Sequence, residues 1–260
     1  MNASPLPAAP GEAPRACAAG TRFKLMTYNV HRCIGMDFRH DPERIARVIV
    51  EHDPDIVALQ ELDVGRVRTR GAHHPQQIAE ILEMEFLFHP TVAIAYEQSG
   101  TAVMSRLPLR RVKAELLPSL QGRTLESRGA LWAAVQVGGV ELQVISTHLS
   151  LVARERRLQA EELVGPRWLA HPACSEPRVL CGDLNMSLRG ALTCFDGACV
   201  RAPWAEGPRP PRTWPSLLPV VALDHIFFSP GVVLEDLQTV RGLRARLASD
   251  HMPLIATFRV

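Results

Sequence analysis

From residue 22 onward the chain alternates short apolar runs with amphipathic ones. FKLMTYNV (23–30) predicts a strand, and DIVALQEL (55–62) a second, mostly buried one. Between them, DPERIARVIVEH (41–52) predicts a helix. Asp41 is its N-cap, Pro42 takes the first helical position, and apolar side chains recur at 45, 48 and 49. PQQIAEILEM (75–84) predicts a second helix. The middle turns strand-rich, with runs at 101–105, 111–117, 129–137 and 140–149, the last two joined by a Gly138–Gly139 hairpin signal. An amphipathic helix over 152–170 follows, then strands at 178–184, 221–229 and 254–258. A Pro- and Trp-containing loop spans 200–220. Early helices between strands, followed by strand pairs, predict an α/β fold of two packed sheets flanked by helices.

Composition changes this picture only a little. The 260 residues are 47% hydrophobic, yet no window approaches the roughly 18 apolar residues that span a bilayer. Neither a repeat nor an internal linker divides the chain, so one domain is expected over 21–260. The first twenty residues are rich in Pro, Ala and Gly and lack a basic start followed by an apolar core. They predict a disordered leader rather than a signal peptide. Six cysteines without a CxxC pair predict free buried thiols and a cytoplasmic protein. A formal net charge of +2 argues against a strongly basic nucleic-acid binder.

The polar residues that stand out all fall at predicted strand ends. Asn29 and Glu61 close the first two strands, and His148 closes QVISTHL. Asp183 and Asn185 follow RVLCG, Asp224 and His225 interrupt VALDHIFF, and Asp250 with His251 precedes the last strand. One such residue is commonly a turn former. Several at the same structural place point to one crevice at a sheet edge. Glu61 and Asp250 are hard oxygen ligands suited to Mg²⁺ or Mn²⁺, with Asn29 adding a neutral one, and no thiolate–imidazole cluster suggests structural zinc. Asp183 can accept a proton from water while Asn185 holds that water or a phosphate oxygen. His148 and His251 can donate to a developing phosphorane.

In this order, TYNV, LQEL, GTAVMSRLPL, STHL, CGDLN, LDHIFFS and SDHMPL resemble the endonuclease/exonuclease/phosphatase superfamily, over about residues 22 to 260. The resemblance implies a four-layered α/β/β/α sandwich and metal-dependent hydrolysis of a phosphoester. It implies Glu61 as the principal metal ligand with Asn29 and Asp250 near it, Asp183 as the water-activating base, and Asn185 as the group positioning water or phosphate. It also implies His148 as a phosphate contact, and His251 as the histidine on the scissile phosphate, oriented by Asp224. The expected activity is a Mg²⁺- or Mn²⁺-dependent phosphodiesterase or phosphomonoesterase, working as a monomer. A DNA endo- or exonuclease, a lipid phosphodiesterase at a membrane surface and an inactive binding scaffold stay open as alternatives.

Other residues bear on the substrate. His31 stands where abasic-site nucleases of the superfamily carry an acid, and it either contacts substrate or caps its loop. Asp37 is expected to be solvated rather than to replace that acid. VGRVRTRG places Arg66, Arg68 and Arg70 at every second position. If extended, the three share one face and can seat a phosphate or anionic headgroup; otherwise they form a solvated loop. Arg128, in ESRGAL, is expected to point into the same crevice. Trp204 and Trp214 can stack on a base, dip into lipid or pack in the core.

Overall fold

Strands that bury both faces need a layer on each side, and that requirement builds this molecule. In the computed structural model, which describes residues 20–120, 126–195, 197, 198, 200–202 and 211–260, β1 (Arg22–Asn29) sends Phe23 and Leu25 one way and Met26 and Tyr28 the other. β2 (Ile56–Val64) likewise splits Ile56 and Ala58 from Val57 and Leu59. β3 (Glu85–Ile94) and β4 (Glu97–Ser105) follow, then β5 (Leu109–Leu116), β6 (Gly129–Val137), β7 (Val140–His148), β8 (Arg178–Asp183), β9 (Asp224–Phe228), β10 (Val233–Thr239) and β11 (Leu254–Arg259). They form a six-stranded sheet in the order β10-β11-β1-β2-β4-β3 and a five-stranded sheet in the order β5-β6-β7-β8-β9. Both sheets are mixed, with β1–β2 and β7–β8 as parallel pairs.

Between the sheets lie Leu25, Ala58, Val103 and Ala256 from one and Leu131, Val144, Val179 and Ile226 from the other. Helices cover the outer faces. α1 (Pro42–Val50), α2 (His74–Leu82) and, late in the chain, a short helix over Leu243–Ala248 pack on Met26, Leu59 and Met104. α3 (Ala153–Val164) and α4 (Leu188–Phe195) pack on Trp132, Ile145, Leu180 and Phe227. The expected α/β/β/α sandwich is therefore present. No helix among the described residues is long and apolar enough to cross a membrane.

Asp41 caps α1 as its sequence predicts, accepting the Arg44 N–H at 2.9 Å. The helix foreseen over 152–170 stops at Val164, before Gly165 and Pro166. Four elements escape the hydrophobic pattern: β3, β10, α4 and the short helix over Leu243–Ala248. β3 carries Pro90 at a register shift, which an edge strand tolerates because its outer N–H groups have no partner strand. β10 is the opposite edge and largely exposed, so it lacks an apolar run. The strand expected over 221–229 begins only at Asp224, so Asp224 and His225 open it rather than interrupt it. Cys33 and Cys181 are buried thiols, as expected. The leader up to residue 19, Cys17, Cys199 and Trp204 lie outside the described residues.

Two tight places prepare the crevice. At the β7–β8 pairing a Cβ on Gly182 would stand 1.9 Å from the Thr147 carbonyl oxygen, and Gly182 has a φ of +143°. On the other sheet, His74 Nδ1 accepts the Asp63 N–H at 3.0 Å, so the His74 proton sits on Nε2 and is donated to His40 Nε2 at 2.7 Å. Burial, reinforced by neighbouring His40, lowers the His74 pKa to about 4.

Gly182→Ala is expected to cost at least ~3 kcal/mol, through overpacking and backbone strain together. A melting temperature equal to wild type would refute that close approach. His74 makes a second, pH-dependent contribution. Its unfolded form binds a proton near pH 6.5 that the folded form refuses, so stability is lost as the pH falls from about 6.5 towards about 4. Urea unfolding should show wild type losing on the order of 3 kcal/mol more than His74→Asn across that window. Parallel pH curves for the two proteins would remove His74 from this role.

Candidate active site

His148, Asp183 and Asp224 occupy one row across three adjacent strands: His148 is paired in register with Asp183, and Asp183 with Asp224. Neighbours in a row project to the same side of a sheet. Asn29, at the end of β1 in the other sheet, reaches across so that its Nδ2 donates to Asp183 Oδ2 at 3.0 Å and to Glu61 Oε1 at 3.0 Å. The approach to β11 is pinned beside them: Ser249 Oγ donates to the Asn29 carbonyl at 2.8 Å, and Asp250 O accepts the Ser216 N–H at 2.7 Å. His251 Nδ1 then meets Asp224 Oδ2 at 2.8 Å.

Several of these residues hold a left-handed backbone. Glu61 has a φ of 58° and sits where β2 slips register against β4, so it lies in a bulge rather than at the strand end the sequence suggests. Asn185 has a φ of 50°, and His31, Arg32 and Cys33 follow one another at 45°, 57° and 57°. Each such residue costs roughly 1–2 kcal/mol. The turn at 31–33 is held by the His31 N–H on Asn29 Oδ1 at 3.0 Å and by His31 Nδ1 with the Ile34 carbonyl at 3.0 Å. It carries Arg32 Nη2 back to within 3.6 Å of Glu61 Oε2.

Asp183 is fully buried among donors. Oδ2 takes the Asn29 amide and faces His148 Nε2 at 3.4 Å and His251 Nε2 at 3.6 Å; Oδ1 accepts the Asn185 N–H at 2.9 Å. Burial raises its carboxyl; the His251 charge pulls it back and Asp224 raises it again, leaving it above the ordinary range. Burial alone would lower His251, but Asp224 and then Asp183 outweigh it and favour the imidazolium. Burial, then Arg128 and His251, hold His148 well below its usual value.

The remaining expected residues separate. Arg128 lies in the crevice, its Nη1 3.0 Å from His148 Nδ1 and 3.4 Å from Glu126 Oε2. Arg66, Arg68 and Arg70 do not form a shared face. Residues 67–69 make a 3-10 turn, so the every-second-residue geometry is lost. Arg68 grips buried Asp63 with two bonds of 2.7 Å, Arg66 pairs with Glu97 at 3.2 Å, and Arg70 is exposed. Asp37 is not simply solvated; it clamps Arg44 at 2.8 and 3.0 Å. His31 caps its loop and stands 3.9 Å from Asp250. His225 is buried, its Nε2 at 2.9 Å from the Met186 carbonyl. Trp214 is partly exposed. Arg32, Asp63 and Ser249 were not singled out in the sequence, because nothing local distinguishes them from other loop residues.

Arg32, Glu61, Arg68, Arg128 and His148 line one hollow. Glu61 Oε2 is buried there without a hydrogen-bond partner, and Arg32 at 3.6 Å is too far to supply one. A buried carboxylate oxygen in that condition suits a hard divalent cation. Asn29 is oriented otherwise than expected: Oδ1 is taken by the His31 N–H, and Nδ2 faces the carboxylates. Asp183, Asp224 and His251 also bring ligand atoms within 4.8 Å of one another, but both His251 nitrogens there face carboxylates, which a proton on each satisfies.

Solved structures share this fold. A Beutenbergia cavernae DSM 12333 endonuclease/exonuclease/phosphatase matches with a TM-score of 0.71 and 21% identity, over 92% of this chain and 72% of that one. A Bacteroides thetaiotaomicron VPI-5482 mannosyl-6-phosphatase matches with a TM-score of 0.74 and 17% identity, over 92% and 100%. D. rerio TDP2 complexed with single strand DNA product matches with a TM-score of 0.68 and 20% identity, over 92% and 99%. No curated protein matches the sequence significantly. The profile of the Endonuclease/Exonuclease/phosphatase family matches residues 26–251. With that match spanning Asn29, Glu61, His148, Asp183, Asp224 and His251, the chain belongs to the endonuclease/exonuclease/phosphatase family, whose members are phosphoester hydrolases.

Proposed function

We propose that the chain is a divalent-metal-dependent phosphodiesterase acting on small phosphodiesters through a water activated by Asp183. The observation that carries this reading is the environment of that carboxylate. It is buried, raised above the ordinary range, and joined through one amide to Glu61, whose second oxygen has no partner. A general base works best when its pKa approaches the working pH, and burial moves Asp183 in that direction. Asn29 bridges the two carboxylates, donating to one oxygen of each. The His251 imidazolium, held by Asp224, offers Nε2–H to charge developing on the phosphoryl oxygens.

Glu61 and Asp250 are the residues we assign to Mg²⁺ or Mn²⁺, which when bound neutralises charge on the phosphate. Asp250 is 32% exposed at its side chain and stands 3.9 Å from His31 Nδ1. The fold does not choose the substrate, since its relatives include a mannosyl-6-phosphatase and TDP2 with single strand DNA product. A small diester is favoured over a duplex because Arg66 and Arg68, the clearest clustered cations of the sequence, are spent on Glu97 and Asp63. The net charge of +2 adds no broad basic track.

Hydrolysis of an activated small diester should vanish in chelator and return with Mg²⁺ or Mn²⁺; full activity in chelator would end the metal assignment. Asp183→Asn should cost at least on the order of a hundredfold in kcat with little change in melting temperature, and Glu61→Gln should raise the metal concentration required. Because Asp183 must be ionised to accept a proton, the rate should fall as the pH drops through its raised pKa. The acid limb is therefore expected above about pH 4, where an ordinary Asp titrates. A limb at or below that value would separate Asp183 from the base.

A further inference from the structure

Two histidines face Asp183 Oδ2, and they have opposite groups behind them. An acid, Asp224, stands on His251 Nδ1 at 2.8 Å and favours a proton on both ring nitrogens. A cation stands on His148 instead: Arg128 Nη1 is 3.0 Å from its Nδ1. A guanidinium can only donate. His148 Nδ1 must then accept, and the one proton of the neutral ring sits on Nε2.

The competing tautomer would carry the proton on Nδ1 and let Asn185 Nδ2 donate to Nε2 across 3.1 Å. Three terms decide against it. A charge-assisted bond is roughly twice as strong as a neutral one. The competing form would also set a ring N–H against the guanidinium. Finally, Nε2 lies 3.4 Å from the Asp183 carboxylate, whose negative charge favours the proton on that side. Asn185 cannot turn its oxygen to the ring, because the same Nδ2 donates to the Leu149 carbonyl at 2.9 Å. His148 Nε2–H and Asn185 Nδ2–H thus stand side by side with no acceptor shared between them. Paired donors in a buried crevice are a receptor for an anionic oxygen.

We propose that Arg128 is a positioning residue that fixes His148 as a neutral Nε2–H donor, which together with Asn185 Nδ2–H holds one phosphoryl oxygen of the substrate. The oxygen-holding role rests on the phosphoesterase reading above; the tautomer does not. Arg128 is well placed to be rigid, with its side chain only 10% exposed and steadied by Glu126. It immediately precedes β6, which Thr147 Oγ1 ties to β7 through the Gly129 carbonyl at 3.0 Å. The charged groups around His148 are Arg128, Asp183, His251 and Arg32, with Glu61 and Glu126 across the same hollow. The three cations disfavour a second proton on the ring, and Asp183 is already shared by Asn29 and His251. Of the two imidazoles, only His251 carries a charge to the phosphate.

Nitrogen-15 NMR of the full chain tests this directly. Wild-type His148 should show Nε2 protonated and Nδ1 bare, without titrating from about pH 5.5 to about pH 8.5. Arg128→Met should release Nδ1, introduce a His148 titration and a new acid limb in the rate, and lower kcat on a small diester at least about tenfold. Arg128→Lys, which keeps a cationic donor, should restore part of both, and it serves with the wild-type spectra if Arg128→Met does not fold. Inorganic phosphate should shift His148 Nε2 and the Asn185 side-chain amide together. Wild-type His148 protonated at Nδ1, or titrating near its ordinary value, overturns the proposal. A phosphate titration that leaves both groups unmoved overturns the oxygen-holding half. The expected tautomer in a chain that hydrolyses no phosphoester upholds the positioning by Arg128 and defeats the activity reading alone.

Discussion

One side-chain amide holds the crevice together. Asn29 Nδ2 lies 3.0 Å from an oxygen of Glu61 and 3.0 Å from an oxygen of Asp183, so two carboxylates from different sheets sit no more than about 6 Å apart. At the effective dielectric of a protein site, that repulsion is roughly 3 kcal/mol. A neutral donor placed between them offsets part of it without adding a charge that would compete for substrate. The amide is itself oriented by the His31 N–H on its oxygen, and its backbone is held by Ser249. The left-handed turn after Asn29 and the approach to the last strand are thus both parts of one support.

Charge is then distributed by what stands behind each group. Asp183 and Asp224 flank His251 and make it cationic, whereas Arg128 backs His148 and keeps it neutral. The same residue type therefore serves two different tasks a few ångströms apart. Buried ionic groups are costly unless each is paired. Here the pairing is nearly complete, and the Glu61 oxygen that lacks a partner is the one best suited to a divalent ion. Among the described residues, Asp224 Oδ1 is a second buried carboxylate oxygen of the crevice without a partner.

Left-handed backbone at Glu61, Asn185 and the 31–33 turn places strain where the functional side chains are. Such conformations persist only when the surroundings over-determine them. Two sheets and three hydrophobic clusters supply that rigidity, and the close β7–β8 contact at Gly182 extends it to the residue beside Asp183.

Much of this was legible in the chain. Strands buried on both faces announced themselves as apolar runs, Asp41 and Pro42 marked the start of α1, and polar residues at the ends of several runs pointed to one crevice. The two edges of the six-stranded sheet, β3 and β10, were not legible, since they are only partly buried and need no apolar run, whereas β5 and β9, the edges of the other sheet, were. The arginines of VGRVRTRG left two readings open, an extended face or a loop. Their spacing has meaning only in an extended segment, and residues 67–69 instead form a 3-10 turn in which Arg68 meets Asp63 and Ser99. The sequence by itself determined the strands buried on both faces, the first two helices, and most of the chemical groups that stand in or beside them. Only the tertiary structure decided which of those groups meet, which cations are already spent, and which imidazole nitrogen keeps its proton. Those outcomes depend on hydrogen bonds of about 3 Å between residues far apart in the chain, such as Asn29 with Asp183, and the periodicity of a sequence carries no information on such distances.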